Sequence, residues 1–67
     1  MLNNNEMKIY KVEIEKLSFE WGRFVGYELI GYYTDKDKAE KVAKDTYENR
    51  CAYVQGKTII TEVMLED

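Results

Sequence analysis

The chain has 67 residues, a net charge of −3, one cysteine and no histidine or proline. A domain this short buries only about 60% of the surface its unfolded chain exposes, so it needs help from a disulfide, a metal or a partner. A single cysteine excludes an internal disulfide, and one thiolate without histidine cannot build a four-ligand zinc site. Self-association or an unusually good core remains, and self-association is the expectation.

The lone cysteine and the lack of a signal-peptide pattern suggest a cytoplasmic protein. No apolar run approaches the roughly 20 residues of a membrane span. The mild, evenly spread acidity disfavours non-specific nucleic-acid binding, which needs a basic face. Without histidine, His-assisted acyl transfer is excluded, and Gly22, Gly26, Gly31 and Gly56 fit no phosphate-loop spacing. Glu13, Glu15, Glu28 and Glu62 read as a solvated sheet surface rather than as acid–base pairs. No cofactor or metal is expected, and the chain does not read as an enzyme.

Residues 1–6 (MLNNNE) carry no periodicity and read as a disordered leader before a single domain over 7–67. From Met7 to Leu17, Tyr10, Val12 and Ile14 alternate with Lys11, Glu13 and Glu15, which predicts a half-buried strand. The loop SFEWGRF follows, with Gly22 breaking the pattern among Phe19, Trp21 and Arg23. Phe24–Tyr33 (FVGYELIGYY) has strand composition and should pair with the first strand as an antiparallel hairpin. Thr34 is placed to cap a helix opening with Asp35 and Asp37. In that helix Ala39, Val42, Ala43, Thr46 and Tyr47 fall on one face, while Asp37–Lys41 and Glu40–Lys44 are spaced as ion pairs. Arg50 suits the helix C-terminus. A turn is expected around Gln55–Gly56 and a last strand over Thr58–Leu65.

These elements predict an α+β domain of ββαβ type. Its three-stranded antiparallel sheet has order 2-1-3, and the helix covers one face. Tyr10, Val12, Ile14, Tyr27, Leu29, Tyr33, Ile59, Val63 and Leu65 are expected to form the core with Val42 and Tyr47. Gly31 should leave room for the helix at Ala39 and Ala43. The other sheet face should then expose Ile9, Ile30, Tyr32, Ile60 and Met64, a patch of the kind that marks an interface. A strand register off by one residue would send some of these into the core instead.

Two roles are open for Trp21 beside Arg23: anchoring a partner, or folding back over the end of the core. Tyr32 and Tyr53 are expected at an interface, and Cys51 as a buried thiol. The candidate interface is therefore Ile9, Trp21, Arg23, Ile30, Tyr32, Ile60 and Met64.

The segment GYYTDKDKAEKVAK resembles small accessory proteins of phages, prophages and their Gram-positive hosts, on Tyr33, Thr34 and the Lys38–Ala39–Glu40 step. The resemblance implies a compact, non-catalytic module, some of whose kind antagonise host proteins; it carries no active site. Binding and occlusion of a host protein, with homo-oligomerisation, is the functional expectation. The alternative is an oligomer that sequesters a small anionic ligand, such as a nucleotide, between subunits through Arg23, Lys57 and tyrosines.

Overall fold

The computed structural model describes residues 7–65. The leader expected over 1–6 lies outside them. The elements run β1 (Met7–Leu17), β2 (Phe24–Tyr33), α1 (Lys36–Glu48) and β3 (Gln55–Leu65). β1 is central, with β2 and β3 antiparallel on either side, so the sheet order is 2-1-3 as expected. β2 and β3 are therefore parallel to each other, and α1 is the crossover that joins them.

The helix packs on the Val12 side of the sheet. Ala39 and Ala43 are buried against Val12, with Tyr10, Ile30, Tyr33 and Ile60 around them. Two small side chains on α1 let its backbone come close to the sheet. Val12, Ile14, Ala39 and Ala43 are the buried hydrophobic residues, and Val12 and Ile14 have 0% exposure. For three long strands and a helix this is a small core.

Asp35, not Thr34, caps the helix: its carboxylate accepts the Asp37 N–H at 2.9 Å. Both residue types can cap, and the side chain one position later reaches the free N–H of the first turn. At the other end Arg50 donates from Nη1 to the Tyr47 carbonyl at 3.0 Å and from Nε to the Gln55 carbonyl at 3.2 Å. Its guanidinium also lies 3.9 Å from the Tyr47 ring centroid. One side chain thus ties the helix end to the start of β3. The turn before β3 is formed by 51–54, where Val54 and Gln55 both donate to the Cys51 carbonyl. Gln55 and Gly56, expected in that turn, belong to the strand. The spacings Asp37–Lys41 and Glu40–Lys44 close no ion pair; those recorded among the described residues are Lys8–Glu62 at 3.2 Å and Lys11–Glu13 at 3.7 Å.

Two irregularities decide which side chains face the helix. Residues directly opposite across antiparallel strands share a face. Val12 pairs with Gly31, but Glu13 pairs with Leu29, so Ile30 is an extra residue in β2. This bulge slips the alternation by one. Leu29 and Tyr27, expected in the core, stand on the open face opposite Glu13 and Glu15, each 49% exposed. Ile30, expected on the open face, packs beneath the helix.

In β3 the phase is the reverse of the expected one. Val12 pairs with Ile60, while Ile9 pairs with Val63, Glu13 with Ile59 and Met7 with Leu65. Ile60 is therefore a core residue, and Ile59, Val63 and Leu65 lie on the open face. Met64 pairs with Lys8, on the helix side but 47% exposed. Tyr47 is exposed, and so is the Cys51 thiol. Gly31 leaves room for a side chain rather than for the helix: a Cβ there would stand 2.9 Å from the Tyr33 hydroxyl oxygen and 3.2 Å from ring carbons.

Candidate functional site

The first surface of interest is the open sheet face. β2 contributes Phe24, Tyr27, Leu29 and Tyr32, and β3 contributes Ile59, Val63 and Leu65, with Met7 and Ile9 from β1. Phe24 and Tyr27 pack edge to face, their ring centroids 5.0 Å apart. A solvated antiparallel face is normally polar. This one carries large apolar side chains along both flanks, interrupted on β3 by Thr61, and the charges Lys11, Glu13 and Glu15 run in a row down β1.

Each charge in that row has a local partner. Glu15 reaches across to β3, where its carboxylate accepts the Lys57 N–H at 2.9 Å. This bond satisfies a backbone group where β3 carries an extra residue between the Ile14–Thr58 and Lys16–Gln55 pairs. Lys11 and Glu13 pair with each other, and their side chains retain only 31% and 21% exposure. The row therefore interrupts the apolar surface with one ion pair, Lys11–Glu13, and one carboxylate, Glu15, held by a backbone N–H.

The second surface is the end of the sheet where β1 turns into β2. Here the chain folds on Ser18: its N–H donates to the Arg23 carbonyl at 2.7 Å, and its carbonyl accepts the Gly22 N–H at 2.9 Å. Its hydroxyl lies 3.3 and 3.4 Å from the Trp21 and Arg23 nitrogens. Gly22 has φ +64°, a left-handed conformation that a Cβ would penalise. The Leu17 N–H donates to the Val54 carbonyl at 2.8 Å, bringing the 51–54 turn to the same end.

The two turns together present Phe19, Trp21 and Tyr53 at 75–78% exposure, with Arg23 beside them. Trp21 does not fold back over the core. Sequence reasoning singled out Trp21 beside Phe19 and Arg23, and Tyr53 as an interface residue. What it missed was that the 51–54 turn stands at the same end of the sheet, brought there by the Lys16–Gln55 pairing and the Leu17–Val54 hydrogen bond.

Of the expected interface residues, Ile9 and Tyr32 stand on the open face, Trp21 and Arg23 on the tip, and Ile30, Ile60 and Met64 on the helix side. Among the described residues no three His, Cys, Asp or Glu side chains are grouped to hold a metal ion, and no helix is long and apolar enough to cross a membrane.

No family model, curated protein or solved structure matches this chain.

What the site can do follows from its chemistry. Two adjoining turns carrying exposed Trp, Phe, Tyr and Arg side chains are suited to filling pockets on another macromolecule, since the aromatics bring large contact area at small entropic cost and Arg brings charge. The open face is suited to burial.

Proposed function

We propose that this protein is a small, non-catalytic interaction module of the cytoplasm that binds and occludes a host protein, in the manner of the phage-type accessory proteins its layout resembles. The observation that carries the reading is the aromatic tip. Phe19, Trp21 and Tyr53 project from two turns joined by the Leu17–Val54 hydrogen bond, and none of the three is used by the core. Large aromatic side chains left this exposed cost solubility and add nothing to folding, whereas at an interface they contribute most of the binding energy. The turn that holds Trp21 is pre-organised by Ser18 and Gly22, so little conformational freedom is lost on binding.

The test is capture of a partner from cell lysate on the immobilised chain, followed by titration of the purified partner. Trp21→Ala should weaken that affinity by about thirtyfold or more, the loss expected of a central anchor. Its circular dichroism should not change, because Trp21 packs on nothing in the core. Retention of full affinity by Trp21→Ala and Phe19→Ala together would overturn the reading.

A further inference from the structure

The open sheet face is apolar for a surface left in water, and it meets the tip only at its Phe24 end. We propose that it is covered by a second copy of this chain, in a two-fold, face-to-face dimer with antiparallel central strands. This goes beyond the interaction reading and rests on it only in leaving the tip free for the partner.

Three observations single out a second copy over a foreign partner. The first is stability. Among the described residues the buried hydrophobic ones are Val12, Ile14, Ala39 and Ala43, a core too small for a domain of this length to rely on alone. A surface needed to hold the fold must be covered whenever the chain is folded, and another copy is always at hand. The second is area. Three strands about 4.8 Å apart and 10 or 11 residues long, at about 3.3 Å per residue, present a flat footprint of roughly 500 Å² on each copy. Counted on both copies this reaches the roughly 1,000 Å² that a specific interface needs, before side-chain relief is added.

The third is charge. Lys11 and Glu13 are successive residues of the face on the central strand, paired at 3.7 Å. A two-fold axis crossing β1 at Val12, in the plane between the sheets, lays Lys11 of one copy over Glu13 of the other and the reverse. The result is a closed ring of four alternating charges. Tyr32 and Leu29, level with Lys11 and Glu13 on β2, exchange in the same way. At these positions the face is its own complement, as an isologous contact requires, while Glu15, which the same axis lays over Ile9, keeps its bond to the Lys57 N–H. β2 makes a poor edge for strand-to-strand pairing, because the Ile30 bulge and the step between Gly26 and Phe24 interrupt it.

The experiment is sedimentation equilibrium of the chain alone, with no partner present, beside thermal unfolding over a roughly hundredfold range of concentration. The wild type should sediment at twice its 8.0 kDa mass, and its thermal midpoint should fall on dilution. Lys11→Glu should raise the dimer dissociation constant about tenfold or more, by placing four carboxylates together, and the double exchange Lys11→Glu with Glu13→Lys should restore it. Leu29→Glu should sediment as one chain. If that variant fails to fold, the concentration dependence of the wild type still decides. A wild type of single-chain mass, or a midpoint independent of concentration, overturns the dimer. A dimer indifferent to Lys11→Glu overturns the face-to-face arrangement in favour of edge pairing. Trp21→Ala lies off this face and should keep the doubled mass, so failure of the tip and failure of the dimer are read separately.

Discussion

The two faces of the sheet carry similar numbers of large apolar side chains and treat them differently. On one, Val12 and Ile14 are sealed beneath or beside the helix at 0% exposure; on the other, Tyr27 and Leu29 remain half in water. The difference is not one of composition. One 13-residue helix can cover only one side of three strands, and a single extra residue at Ile30 decides which of β2's side chains it covers. Burial in a domain this small is set by register as much as by hydrophobicity.

The largest expected effect separates neighbours in β3. Ile60→Glu puts an unpaired carboxylate against the Val12–Ala39–Ala43 cluster and should cost about 4 kcal/mol, enough to unfold most of the population. Ile59→Glu, one residue away on the open face, should cost clearly less in chemical denaturation at dilutions where the wild type is a single chain; equal losses there would break the distinction between the faces. Next, Ile14→Ala should cost about 3 kcal/mol through the cavity it leaves, with its midpoint in urea reduced accordingly.

Gly22→Val tests the tip, which belongs to neither face. Its Cβ would meet nothing within 4 Å, so the cost is that of the backbone at φ +64° alone, about 1–2 kcal/mol, with helix content unchanged by circular dichroism. Asp35→Ala removes the cap of the covering helix and should cost about 1 kcal/mol, whereas Thr34→Ala should cost only a few tenths; the reverse order would return the cap to Thr34. The smallest effect is expected of Glu62→Gln. The Lys8–Glu62 pair is about half exposed, so the loss should stay under about 0.5 kcal/mol and shrink further as salt is added.

Much of the architecture was legible in the sequence. In β1 the alternation of Tyr10, Val12 and Ile14 with charged residues fixes a strand and its buried side, and Ala39 with Ala43 marks the stripe on which the helix packs. The partition of β2 and β3 between the faces was not legible. The β2 sequence FVGYELIGYY has large apolar side chains on both parities, and nothing in it announces that Ile30 is skipped in the pairing. The β3 sequence TIITEVML has apolar side chains on both parities, Ile59, Val63 and Leu65 against Ile60 and Met64, so either phase buries a plausible set. The choice is made by cross-strand pairing with β1, a property of the folded sheet. At the candidate site the individual aromatics were readable as surface anchors. Their convergence was not, because it depends on the Leu17–Val54 hydrogen bond between segments 37 residues apart.

Met7 and Leu65 are cross-strand neighbours at the end of the sheet farthest from Trp21. Both residues therefore lie about a strand's length, roughly 35 Å, from the aromatic turns. A short linker joining the two positions would close the chain into a ring without touching its working end, and new termini could then be opened in an exposed turn. The protein can be displayed from either side of that seam with the same end pointing outward.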